Sequence, residues 1–154
     1  MITPPTTFHE TSQDPSGTLD SFSHQKIDRT GPFFAKLGSN DRSCASCHDA
    51  ADGWSVTPAH LQQRFNDTQG TDPIFRTVDG ANCPSDDVST LAAATSAYSQ
   101  LLNHGLIRMT LPVPANAEFS IVAINDPYQC PETTATSPAL YRRARNHILE
   151  IIVA

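Results

Sequence analysis

The chain has 154 residues, 38% of them hydrophobic and 17% charged, enough for one domain of ordinary size and too apolar for a disordered one. Ten basic residues against sixteen acidic ones give a formal charge of -6, which argues against nucleic acid as a partner. No run approaches the ~18 apolar residues of a membrane span, and twelve prolines predict a loop-rich protein.

Residues 1–23 are mostly Thr, Ser, Pro and Asp, with only Ile2, Phe8, Leu19 and Phe22 as large apolar groups, and they read as an extended arm beside a single domain over 24–154. The first residues lack the charged and apolar regions of a secretion signal. Pro32 to Gly38 predicts a short helix, with proline in its first turn, glycine past its end, and an apolar face of Phe33, Phe34 and Leu37. The run Cys44-Ala45-Ser46-Cys47-His48 follows.

Thr57-Pro58 then predicts a helix start, with the Thr hydroxyl as cap and Leu61 and Phe65 spaced by four, ending near Asp67. Gly70, Pro73, Gly80 and Pro84 make 69–87 a loop. The clearest helix, about 89–104, carries Leu91, Ala94, Tyr98, Leu101 and Leu102 on one stripe and stops at Gly105. Phe119 to Ile124 reads as a short buried strand or an extended core segment, and Ser137-Pro138 predicts a last helix running to about Leu149.

Two cysteines three positions apart can each form a thioether to a vinyl group on one porphyrin edge, which sets the adjacent histidine beneath the iron. Cys44, Cys47 and His48 therefore predict one covalent haem c, with His48 as an axial ligand. A zinc site would require a second close Cys or His pair, and a thioredoxin-like dithiol would require a βαβ setting; neither is visible. Because covalent attachment of haem takes place in exported chains, a removed signal and a periplasmic or secreted location are expected. Cys83 and Cys130, each followed by a proline, remain as either a disulfide or two thiols, with the disulfide favoured in such a compartment.

The opposite iron position decides function. A strong protein ligand there gives an electron carrier, and an open position admits peroxide or another small molecule. Met109 is the first candidate ligand, beyond the Gly105 stop and ahead of Pro112 and Pro114; filling core between Ile107 and Leu111 is the competing reading. His60 and His104 are weaker candidates, and His9, His24 and His147 lie in weakly specified segments. Trp54, the sole tryptophan, is expected at the cofactor as a lid on the porphyrin or else as a core anchor. Arg64 and Arg76 read as propionate partners or surface ion pairs, and Arg142, Arg143 and Arg145 as a solvated face.

With these residues in view, roughly 24–143 resembles the haem-bearing N-terminal part of the bacterial di-haem cytochrome c peroxidase-like proteins. The blocks that carry the resemblance are Phe33-Phe34, the haem run, Gly53-Trp54, Arg64-Phe65, Gly70-Thr71-Asp72-Pro73, Asp79-Gly80, Gly105-Leu106-Ile107-Arg108, Pro112-Val113-Pro114 and Ala117-Glu118-Phe119. The resemblance implies haem ligation by Cys44, Cys47 and His48. Such peroxidases bind peroxide at one haem and feed electrons from another, and this sequence contains no second C-x-x-C-H run.

The combined expectation is a mainly α, cytochrome c-like helical domain with long loops and little strand around one haem. Its function would be single-electron transfer with a redox partner protein, and the alternative is a peroxidase-like or small-ligand-binding haem protein. No catalytic residue is singled out. The apolar end, Ile148, Leu149, Ile151, Ile152 and Val153, is expected to pack on the domain or to meet another chain, as in self-association.

Overall fold

The computed structural model describes residues 7–15, 17–142, 147, 148 and 151–153. They fall into two compact units, Met1–Gln63 and Arg64–Ala154, with the division inside the first helix.

The first unit opens with an antiparallel hairpin of β1 (Phe8–Asp14) and β2 (Gly17–Ser23), paired from Phe8 opposite Ser23 to Asp14 opposite Gly17. Cross-strand chemistry fixes this register. His9 lies 2.9 Å from Asp20 and stacks on Phe22, and Thr11 donates to the same Asp20 oxygen at 2.8 Å. The bonds from Thr11 and then His9 hold the Asp20 carboxyl below its ordinary value. The expected helix at Pro32 to Gly38 is a turn, in which Phe34 and Ala35 both donate to the Gly31 carbonyl and no helical ladder continues. A single 3-10 turn, Cys44–Ser46, carries the first cysteine, and Ser43 and Ser46 cap it reciprocally. Helix α1 (Pro58–Thr68) then starts as the Thr57 hydroxyl predicts: Thr57 Oγ1 accepts from the His60 N–H at 3.3 Å.

The second unit gathers its core around three aromatic rings. Phe65, Phe75 and Tyr98 are buried and meet edge to face or tilted, with centroids 5.1 to 6.3 Å apart, and Ile74, Leu101 and Leu102 are buried too. Burial of Tyr98 pushes its phenol above the usual tyrosine value. The long predicted helix divides at Tyr98 into α2 (Leu91–Ala97) and α3 (Ser99–His104), between the Thr90 cap and the left-handed Gly105 stop. Asn82 fills the break. Its amide donates to Ser96 O and Ser99 Oγ, and its carbonyl accepts the Gln100 N–H that an unbroken helix would have used internally.

The remaining elements are strands: β3 (Ile107–Thr110), β4 (Ile121–Ile124), β5 (Ala139–Arg142), β6 (His147–Ile148) and β7 (Ile151–Val153). They form two antiparallel sheets, β3-β5-β6 and β4-β7. Arg108 on β3 is buried, donating to Thr110 and Thr133 while its N–H meets the Asp79 carbonyl at 2.7 Å. Its charge lies near Glu132, whose carboxyl is held low first by the Ser85 side chain and also by Arg108.

The expected mainly α, cytochrome c-like fold is therefore corrected: among the described residues, three helices of 11, 7 and 6 residues stand beside seven strands. The expected last helix is corrected in the same way. Thr134 and Ser137 pair with each other, and the chain from Ala139 is drawn into β5 by the edge of β3. The side chains of the apolar end and of Arg142, Arg143 and Arg145 lie outside the described residues, so the expectation of self-association does too. No helix among the described residues is long and apolar enough to cross a membrane.

Cys83 and Cys130 are joined in a disulfide, both buried, which fits an oxidising compartment. Closing a loop of 47 residues' separation restricts the unfolded chain, so replacing both cysteines by alanine should lower stability by about 4 kcal/mol in a denaturant titration. Gly80 sits where a Cβ would stand 2.9 Å from the Ile74 carbonyl oxygen and 3.0 Å from that of Arg76. Both are backbone atoms. Gly80→Ala should accordingly cost about 1–3 kcal/mol, measured by thermal unfolding, whereas alanine at Gly31 would meet only the Asp28 carbonyl oxygen at an ordinary 3.8 Å.

Candidate functional site

The cysteines and histidine of the C-x-x-C-H run fold locally. His48 and Cys47 both donate backbone N–H groups to the Cys44 carbonyl, at 2.9 and 3.2 Å, so the two thiols and the imidazole leave one tight turn. Cys44 is exposed, Cys47 half-buried, and neither is in a disulfide. Arg42 Nη2 lies 3.5 Å from Cys47 Sγ, a cationic donor beside the second thiol.

His48 is exposed, and its Nδ1 lies 2.8 Å from the carbonyl oxygen of Trp54. A carbonyl only accepts, so Nδ1 carries the proton and Nε2 keeps the lone pair. This is the arrangement of a metal-ligating histidine, whose non-ligating nitrogen is tied to a backbone carbonyl or carboxylate.

The carbonyl is presented by a tight loop. Asp49 and Ser55 form an antiparallel bridge, Trp54 N–H donates to Asp49 O at 2.7 Å, and Gly53 and Trp54 take φ of 65° and 58° in succession. Left-handed backbone at a tryptophan costs of order 1–2 kcal/mol, which the two bonds across the loop offset. Leu19 of β2 packs at Gly53, 3.6 Å from where a Cβ would stand.

Around this turn the aromatic side chains collect. Phe33 lies 6.0 Å from the His48 ring and 5.7 Å from Trp54, Phe34 is 5.7 Å from Trp54, and Phe33 itself is 36% exposed. An exposed imidazole bordered by an exposed phenyl, with two thiols on the preceding turn, suits a flat apolar ring held at its edge by two thioethers. These residues thus fit a covalently attached haem.

Cys44, Cys47, His48 and Trp54 are brought together in the first unit. The sequence predicts Trp54 as a lid or anchor; its backbone carbonyl is what meets His48, and its ring faces Phe33 and Phe34. Met109 belongs to the second unit, on β3 opposite Leu140, and is 40% exposed, so it does not fill core. His60 is tied through Nδ1 to Asp52 at 3.0 Å, and His104 is exposed in the last turn of α3. Arg64 holds Asp72 through two nitrogens, the ion-pair reading of that residue.

The expectation of metal binding by protein ligands is corrected: among the described residues no group of three or more His, Cys, Asp or Glu is placed to hold a metal ion. Among the described residues the turn offers one imidazole and no cage. Sequence reasoning missed Asp52 and Arg42; no motif marks either, and only the fold brings them to the turn. Compared with family models, with curated proteins and with solved structures, the chain matches none of them.

Proposed function

We propose that this chain carries one haem c, joined to Cys44 and Cys47 with His48 Nε2 as an axial ligand, and that it passes single electrons to a redox partner protein outside the cytosol. The observation that carries the reading is the 2.8 Å bond from His48 Nδ1 to the Trp54 carbonyl, beside two thiols that are not paired with each other. When bound, haem supplies an iron that changes between its ferrous and ferric forms.

What the chain supplies is position. The 3-10 turn spaces the thiols, the loop fixes the imidazole tautomer and raises its basicity, and Phe33 offers an apolar face. His48 and Cys44 are exposed, so the turn is open to a porphyrin and to the machinery that would attach it. A periplasmic or secreted location is supported by the Cys83–Cys130 disulfide. The likeness to di-haem peroxidases belongs to the same proposal and rests on the sequence blocks that carry it.

Export of the chain in a host that matures c-type haem tests the reading. Haem should remain on the protein after acidic organic extraction, at one per chain, and Cys44→Ala with Cys47→Ala should abolish that retention. Wild-type protein emerging with no haem would overturn it. Low-spin ferric iron that becomes high-spin in Met109→Ala supports the carrier and the sequence-expected sixth ligand. High-spin wild type that binds peroxide would replace the carrier with the peroxidase-like enzyme.

A further inference from the structure

From the geometry around Asp52 we infer that this residue, with Thr57 and His60, is a positioning device for the haem ligand: a buried carboxylate that clamps the His48-holding loop to the start of α1. The inference rests on the haem reading above and assigns roles that no sequence motif indicates.

The Asp52 side chain is 2% exposed. Each of its oxygens takes one bond from α1's first turn: Thr57 Oγ1 donates to Oδ1 at 2.6 Å, and His60 Nδ1 lies 3.0 Å from Oδ2. A buried carboxylate is costly unless both oxygens are satisfied, and a helix start with its positive end is a favourable place for one. Thr57 is committed twice, since its hydroxyl oxygen also accepts the His60 N–H.

The clamped residue stands inside the loop that matters. Asp52 N–H donates to Asp49 O at 3.2 Å, the same carbonyl that receives Trp54 N–H, and Gly53 and Trp54 follow at once with their left-handed backbones. Without an anchor, two consecutive left-handed residues would relax toward ordinary φ and swing the Trp54 carbonyl off His48 Nδ1. With Asp52 fixed to α1, the carbonyl has one place to be. The sequence of control is therefore α1 start, Asp52, loop 49–55, Trp54 carbonyl, His48 tautomer. A tethered Nδ1–H makes Nε2 a stronger donor to ferric iron, so loss of the clamp should raise the reduction potential.

The test compares Asp52→Ala with Asp52→Asn. Asparagine removes the charge but keeps both bonds, because its carbonyl accepts from Thr57 and its amide can donate to His60 once that ring changes tautomer. Asp52→Ala should shift the ferrous-to-ferric ratio at fixed ambient potential by about tenfold toward ferrous, ~59 mV for one electron, while Asp52→Asn stays near wild type.

Nitrogen NMR of labelled histidine gives a second readout: His48 should be the Nδ1–H tautomer in wild type and Asp52→Asn, and a mixture in Asp52→Ala. Equal shifts in both variants would assign the effect to the lost charge and overturn the clamp, as would an unchanged potential and tautomer in Asp52→Ala. Should Asp52→Ala fail to fold, His60→Phe, which removes one of the two bonds and leaves the Thr57 cap of α1 in place, should move both readouts in the same direction by less, and no movement would overturn the clamp. A wild-type chain that never acquires haem defeats the haem reading, and the histidine spectrum of that same chain still decides the clamp.

Discussion

The hydrogen bond from His48 Nδ1 to the Trp54 carbonyl is the constraint on which the first unit is organised. It fixes which nitrogen keeps a lone pair, and it can form only if the backbone turns back on itself within six residues. The loop does so by an unusual route, with left-handed φ at Gly53 and again at Trp54. Glycine adopts that geometry freely. Tryptophan does not, and its tolerance here is explained by what surrounds it: a 2.7 Å bond from its N–H to Asp49 O, and edge-to-face contacts from its ring to Phe33 and Phe34. Backbone strain is thus held in place by packing, and the product of the strain is one imidazole with a defined tautomer.

The second unit solves a different problem. Its helices are too short to be stable from their own ladders, and nothing in 69–87 is regular, so order must come from tertiary bonds. Three kinds supply it. The Phe65, Phe75 and Tyr98 rings pack together in the core, Asn82 spends every polar atom of its amide on the α2 to α3 break, and the Cys83–Cys130 disulfide restricts the long stretch between them. Arg108 adds a buried cation whose partners are two hydroxyls and, at longer range, Glu132. Such a unit combines an apolar core with a few specific polar contacts.

What could be read from the sequence follows the range of the interaction that decides it. Thr57-Pro58 and the Gly105 stop act within four residues, and both do what their chemistry implies. The C-x-x-C-H turn is equally local. The Phe33 turn is local too, yet it misleads, since the Gly31 carbonyl accepts two N–H groups and then the ladder stops. β5 is harder: Ala139 and Leu140 favour helix by residue type, and their β3 partners lie about 30 residues away in sequence, so only long-range pairing decides the strand. At the site, the identity of Trp54 was legible but its role was not, because a carbonyl contribution depends on φ and leaves no trace in residue type. Asp52 is the extreme case. A lone aspartate between Ala51 and Gly53 reads as a solvated loop residue, and only the fold shows it buried with two donors.

That the described residues do not form a cytochrome c-like helical fold is compatible with covalent haem for a physical reason. A reversibly bound porphyrin must be retained by depth of burial, which calls for helices on both faces and a pocket that excludes water. Two thioethers remove that requirement, because dissociation then means breaking a carbon–sulfur bond whatever the depth of the site. The protein has only to place two thiols and one imidazole on a common turn and to hold the imidazole at a fixed orientation. A 3-10 turn and a seven-residue loop do this, and the rest of the scaffold is left to choose its own architecture. This explains why control of the iron would pass to the loop: with few walls around the ring, the orientation of His48 is the main electronic setting the chain can still impose.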